Sequence, residues 1–360
     1  MPGPDAAQAP PRGQWIHAQL FGVSLPAASQ LSLGEGRTPL EVAPQLGTEL
    51  GIPNLLLKRE DLSPTGSHKA RCLSLLCSAL IASESRQAVI SSSGNAAIAA
   101  AAYASLGGIR LLSLVSPRTP RLKLERLRIY QQLTVLSESP VALLHHAVQN
   151  WGLSDLRGSV NRRAPDAYRG IAAELVEAGP LAAVFLFSNS GAAALGIAQG
   201  LDQLLPPPEH PQLHVVEGFP GGELTRPWFP ASQEPAAAAS LLGELGTHRS
   251  RLAPAVRRAV RSSGGSGWRV TDGEAEDVRE IAVRHGVRTS WEGLATLAAM
   301  RRAAAARPPQ GRWIAVLTGD ESQLDRETAR PEDPPLPTAN SARELDGQLE
   351  GAGFARSESR

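Results

Sequence analysis

Three lysines, Lys58, Lys69 and Lys123, carry the side-chain primary amines of this 360-residue sequence; the other 33 basic residues are arginine. Any chemistry that needs an amine nucleophile must use one of them. Lys69 stands in Pro64-Thr65-Gly66-Ser67-His68-Lys69-Ala70-Arg71, a turn-forming segment between an apolar run and a helical pattern. Free backbone N–H groups and the positive end of the helix dipole gather at a helix start. A cation is disfavoured there, which lowers an amine pKa, and a neutral amine is what Schiff-base chemistry requires. The competing reading is a solvated loop lysine. Lys58, beside Arg59, Glu60 and Asp61, reads as charge-paired, and Lys123 as one charge among several on an exposed helix.

Three further segments repeat the strand–turn–helix pattern. Ser91-Ser92-Ser93-Gly94-Asn95 brings hydroxyls and backbone amides together, as an anion such as a carboxylate needs. Asn95 would cap the next helix or turn its amide to a ligand. Ser188-Asn189-Ser190-Gly191-Ala192-Ala193 joins a strand to a helix through residues small enough for backbone amides to approach a phosphate. Leu317-Thr318-Gly319 ends a strand on a hydroxyl, at the edge where open α/β sheets bind ligands. An amine, two anion nests and a hydroxyl facing one crevice fit an aldehyde cofactor that carries a phosphate and a ring nitrogen.

The elements that must position these groups alternate along the chain. Strands are expected at 55–58, 88–91, 109–115, 134–137, 182–187, 214–217 and 313–317. Helices are expected at 69–82, 95–106, 121–131, 140–151, 167–178 and 192–204. Such alternation predicts an α/β fold with open, mostly parallel sheets covered by helices. Residues 1–13 read as a flexible leader, 331–360 as a loosely attached tail, and 218–267 as less regular.

Composition removes several classes of function. With 36 basic and 35 acidic residues the net charge is +1, which gives no electrostatic reason for nucleic acid or an anionic membrane as partner. Aromatic residues are 4% of the chain, so the core must rest on Ala, Leu and Val. Cys72 and Cys77 lie in one apolar helical run without a close Cys-x-x-Cys pair and read as small buried side chains, not a metal site. The N-terminus lacks a basic start and an apolar core segment, and the apolar stretch 96–106 is too short to span a bilayer. The expectation is a soluble, cytoplasmic protein.

KREDLSPTGSHKAR resembles the lysine motif of the fold-type II pyridoxal-phosphate enzymes, the tryptophan synthase β-like superfamily, in the form that threonine synthases carry. SLGEGRTPL at 32–40, SSSGNAAIAAAAYA, FLFSNSGAAALGIAQGL, VTD at 270–272, TSWEGLATL at 289–297 and LTG at 317–319 resemble further motifs of the same enzymes, in the same order. The resemblance covers about residues 30 to 320. It implies a two-domain fold with the cofactor in the crevice between domains: a large cofactor domain from 14–87 plus 151–330, and a small domain from 88–150.

It also implies roles. Lys69 would hold pyridoxal 5′-phosphate as a Schiff base and exchange the proton of the substrate α-carbon. Asn95 would bond the cofactor's phenolic oxygen. Asn189, Ser190, Gly191, Ala192 and Ala193 would hold the phosphate, and Thr318 would face the ring nitrogen. Ser92, Ser93 and Gly94 would hold the carboxylate of a small amino-acid substrate, and Arg162 and Arg169 a substrate phosphate. The implied activity is a lyase reaction, β/γ-elimination or replacement, nearest to conversion of O-phosphohomoserine to threonine and phosphate. Threonine or serine dehydration, a specialised amino-acid synthase and a catalytically silent cofactor-binding relative remain open. By analogy alone, the protein would be a homodimer. His68, Ala70, Asn189, Ala192 and Trp291 depart from the usual threonine synthase pattern, and these departures bear on the substrate rather than on the cofactor.

Overall fold

The computed structural model describes residues 12–92, 94–219, 222–229, 240–244, 250–321, 333 and 335–356. Its strands in chain order are β1 (Leu40–Val42), β2 (Leu55–Lys58), β3 (Gln87–Ser91), β4 (Arg110–Val115), β5 (Leu133–Leu136), β6 (Ser154–Asp155), β7 (Ala183–Phe187), β8 (Gln212–Gly218), β9 (Gly267–Val270) and β10 (Trp313–Val316). They form a six-stranded sheet, β1-β2-β10-β7-β8-β9, and a four-stranded sheet, β5-β4-β3-β6. Every pairing is parallel except that of β1 with β2. Parallel strands need crossovers, and the helices supply them. β2 and β7 are buried along their whole length, as a sheet covered on both faces demands.

The helices Lys69–Ala82, Asn95–Leu106, Pro140–Trp151 and Ala192–Leu204 span the predicted residues. The expected helix at 167–178 instead opens as a 3-10 turn, Asp166–Tyr168, and becomes α-helical over Arg169–Val176. The Asn95–Leu106 helix packs its alanines on every side; Ala97 to Ala101 are all buried, so a core poor in aromatics closes by bringing backbones close.

A buried ionic knot fixes the lysine-bearing helix. Arg71 donates to Glu60 at 2.8 and 2.7 Å and to Glu174 at 2.8 and 2.8 Å. Lys58 Nζ lies 2.5 Å from Glu174 Oε2 and donates to the Thr38 carbonyl at 2.6 Å. Burial alone would raise the Glu174 carboxyl, but Arg71 and then Lys58 outweigh it and bring it down to about 2.

Three expectations need correction. The stretch 218–267 contains a regular helix, Ala253–Ser262, packed on the parallel sheet; residues 220–221, 230–239 and 245–249 of it lie outside the described residues. The four-stranded sheet extends past residue 150, because β6 pairs with β3. The segment 335–356 is not a loose tail: Thr338 bridges to Leu136 of β5, and the Ala342–Gly351 helix packs on Pro140–Trp151. Leu345, Leu349 and Phe354 enter one apolar cluster with Leu143, Leu144 and Trp151. Trp151 Nε1 donates to Asp346 at 2.7 Å. Of the expected leader, residues 1–11 lie outside the described residues, while Gly13–Leu20 forms a 3-10 helix against the core.

Candidate active site

Strand order decides which loops meet. β2, β10 and β7 are neighbours in the large sheet, so the segments after them converge: the Lys69 loop, Thr318 and the 188–191 turn. In the small sheet β3 and β6 are neighbours, which brings Ser91–Ser92 beside 157–159. Between the two groups lies a cleft of about 630 Å³, open to solvent. Lys69, Ser92, Asn189, Ser190 and Ala192 line it, with Cys72, Tyr168, Arg157 and Ser159. Among the described residues no Asp or Glu lines it.

Lys69 opens its helix, as the turn chemistry requires, and the preceding loop is pinned to β10. Ser67 bridges to Gly319, and His68 N donates to the Thr318 carbonyl at 3.1 Å. Burial pushes the Lys69 amine below its usual 10.5; Cys72 and Glu292 act in the opposite sense without cancelling it. Glu292 stands in the first turn of the Trp291–Ala306 helix, whose N-cap is Ser290.

The turn after β7 is built to approach an anion. Gly191 adopts φ +85, and a Cβ there would meet Val256 Cγ2 at 2.8 Å. The Ala192–Leu204 helix follows, and its first amides have no intrahelical acceptor. Ser250 fixes the turn by donating to the Ser190 carbonyl at 2.6 Å. Asn189 Oδ1 is buried without a hydrogen-bond partner among the described residues. An orphaned polar atom beside a glycine cradle and a helix start fits a ligand bearing both a phosphate and polar ring substituents.

The remaining candidates divide. Gly94, Asn95, Gly191, Ala193 and Thr318 flank wall residues or hold them rather than forming the wall itself. Ser93 lies outside the described residues. Arg169 is turned away: it pairs with Asp166 at 2.8 Å and donates to the Leu20 carbonyl at 2.9 Å and Gln199 at 3.0 Å. Arg162 is exposed and does not line the cleft. Neither is placed for a substrate anion: Arg169 is tied to Asp166, Leu20 and Gln199, and Arg162 faces solvent. Lys123, expected on an open face, is half-buried, and its Nζ would lie 3.6 Å from a Cβ on Gly94, beside the hydroxyl loop. Arg157, Ser159 and Tyr168 were missed: each lies in irregular chain or a 3-10 turn, where no periodicity marks it.

The chain belongs to the family described as pyridoxal-phosphate dependent enzyme, whose match runs over residues 31–319. Its cofactor is therefore pyridoxal 5′-phosphate. Over 85 residues it is 39% identical to a threonine synthase of Mycobacterium leprae; the match covers 24% of this chain and 23% of that protein. In fold it is similar to maize serine racemase, with a TM-score of 0.68 at 20% identity over 79% of this chain and 88% of that one. It is also similar to threonine deaminase isoform 2 of Solanum lycopersicum, with a TM-score of 0.62 at 18% identity over 88% of each chain. Among the described residues no helix is long and apolar enough to cross a membrane.

Proposed function

We propose that this protein is a pyridoxal-phosphate-dependent lyase that eliminates or replaces a β- or γ-leaving group on a small amino acid, with threonine synthase-like conversion of O-phosphohomoserine and water to threonine and phosphate as the leading reaction. The observation that carries this reading is the Lys69 amine, depressed by burial, in a cleft that no carboxylate lines among the described residues and that two nests for anions bound. When bound, the cofactor supplies a sink for the electron pair left at the substrate α-carbon.

The chain's own residues do the rest. Lys69 removes and returns the α-proton, a task suited to an amine whose pKa lies below the free value. Backbone amides at 189–193 hold the cofactor phosphate, and Asn189 Oδ1 gains the partner it lacks among the described residues. Ser92, Gly94 and Asn95 orient the substrate carboxylate and the ring oxygen, with the Lys123 charge close behind. Thr318 offers a neutral hydroxyl where a carboxylate would deepen the sink; a shallower sink favours a substrate with a good leaving group over amino-group exchange.

The test is a panel of activated amino acids with the leaving group, ammonia and 2-keto acid measured separately. Phosphate and threonine from O-phosphohomoserine support the leading reaction. Ammonia and 2-keto acid from serine or threonine would make the protein a dehydratase. Amino-group exchange with a keto acid and no leaving-group release would overturn the reaction class.

A further inference from the structure

One helix touches both halves of the cleft. Arg121–Ile129 crosses over from β4 to β5 of the small sheet and packs on the Asn95–Leu106 helix, with Leu124 and Leu127 buried. Lys123 and Arg126 stand three residues apart on it, the spacing of neighbours on one helix face. Lys123 reaches the hydroxyl loop, where its Nζ would lie 3.6 Å from a Cβ on Gly94. Arg126 reaches the other wall, which the large sheet provides: Nη2 donates to the Thr65 carbonyl at 2.9 Å and Nη1 to Asp320 Oδ2 at 3.1 Å.

Both acceptors belong to the segments that lead to the reactive groups. Thr65 lies in the turn before Lys69, and Asp320 follows Thr318 and Gly319. These two segments are stitched to each other: Asp320 N donates to the Gly66 carbonyl at 2.9 Å, and His68 N to the Thr318 carbonyl at 3.1 Å. Gly66 holds φ +72, and a Cβ on it would strike the Asp320 carboxylate and stand 2.8 Å from Arg126 Nη2, so the guanidinium is packed onto the turn itself. The planar fork of an arginine holds a carbonyl and a carboxylate at once, a geometry that the point charge of a lysine does not reproduce. The path of the backbone into Lys69 is therefore set by the small sheet's helix as well as by the large sheet.

We propose that Arg126 is a positioning residue for Lys69, and that through it the lysine loop responds to a carboxylate bound at the hydroxyl loop. The connection is short: from the start of the Asn95–Leu106 helix, with Lys123 beside it, along one turn of Arg121–Ile129 to Arg126, and from there to Thr65 and Asp320. This rests on the reading of the hydroxyl loop as the site of the substrate carboxylate. Such coupling makes the setting of the amine depend on whether the carboxylate is in place, so an amine without a carboxylate is a poor substrate at proton removal as well as at binding.

The test uses the holoenzyme and pentanoate, a carboxylate without an amine, so that Lys69 stays on the cofactor; an unchanged visible band checks this. Amide hydrogen exchange, read by mass spectrometry with and without pentanoate, follows the start of the Asn95–Leu106 helix and, across the cleft, segments 64–69 and 317–320. In wild type, pentanoate should slow exchange at the helix start and also across the cleft, there by roughly 10-fold, a size within the reach of one charge-assisted hydrogen bond. Arg126→Gln should keep the first effect and lose the second. Asp320→Ala removes the ion pair but keeps the amide that Gly66 accepts, and it should behave in the same way; it decides the matter if Arg126→Gln does not fold. Each variant is compared with itself, so a general loss of stability leaves the difference unmoved. Slowing across the cleft that survives in either variant would overturn the proposal. If pentanoate does not slow the helix start of wild type, the reading of the hydroxyl loop fails and takes the coupling with it; slowing at the helix start alone sinks the coupling and spares that reading.

Discussion

The His68 ring nitrogen Nδ1 lies 2.9 Å from the Thr318 carbonyl oxygen, so the residue before the reactive amine is tied to the end of β10. A carbonyl can only accept, which places the ring proton on Nδ1. Burial first, and then the neighbouring Lys69 charge, pushes the ring well below its usual 6.5, so it stays neutral. Its face also meets Tyr168, with centroids 5.4 Å apart. His68→Phe keeps a ring against Tyr168 and loses one side-chain hydrogen bond. The expected cost is about 1 kcal/mol, with cofactor retention close to wild type. Complete cofactor loss in that variant would show that His68 does more than hold the loop.

Attachment of the cofactor can be read chemically. Borohydride reduction followed by peptide mapping should place the pyridoxyl group on Lys69. Uptake should follow a titration whose midpoint lies below 10.5, because burial depresses this amine. Label on Lys58 or Lys123, or a midpoint at or above 10.5, would contradict the assignment.

The turn after β7 tolerates no side chain at Gly191, since φ is +85 and Val256 stands 2.8 Å from the nearest added atom. Gly191→Val should release most of the cofactor on dialysis, while Ser190→Ala, whose backbone amide is unchanged, should retain it. Equal cofactor content in the two variants would remove this turn from the phosphate site. A thermal melt of the apoprotein separates local damage from unfolding.

Glu174 neutralises two buried cations, so Glu174→Gln should cost about 3–5 kcal/mol in urea unfolding. The pH dependence follows from its carboxyl, held near 2 instead of 4.5. A depressed acid binds its proton more weakly when folded, so this contribution is whole above about pH 4.5 and fades as pH falls toward 2. Wild type and Glu174→Gln should therefore converge in stability across that window; parallel curves would show that the group does not titrate with unfolding.

A chain ended after residue 337 should lose stability, because Leu345, Leu349 and Phe354 leave a cluster in which they are buried. Each large apolar side chain contributes about 1.5–3 kcal/mol. Trp151, stripped of Asp346 and of Arg356 stacked 4.6 Å over its ring, should report the change by a red-shifted fluorescence. An unchanged spectrum would mean that the segment does not dock in solution.

The legible parts of the chain are those where the pattern changes abruptly. Lys69, Asn95 and Ala192 each begin a helix where an apolar run gives way to small or hydroxyl residues, and the structure starts those helices at the same residues. Arg157 follows a strand of only two residues, too short to leave a period, and its place in the cleft comes from the pairing of that strand with β3, far away in sequence. The same holds for Arg169: besides Asp166, three residues away, its acceptors are Leu20 and Gln199, which local pattern cannot connect. The Ala342–Gly351 helix had a legible start, Ser341 accepting from the Glu344 amide, but the proline-rich polar residues before it pointed to a loose chain.

The bridge from Leu136 to Thr338 has a consequence for how the molecule is made. On a ribosome, β3 to β6 emerge long before residues 338–354, so the small sheet must wait, with Leu143, Leu144 and Trp151 uncovered, for nearly two hundred residues of further synthesis. Contacts of such long sequence separation slow folding and prolong exposure of apolar surface. The nascent chain is therefore most open to chaperone capture, or to loss, in the interval before the Ala342–Gly351 helix arrives.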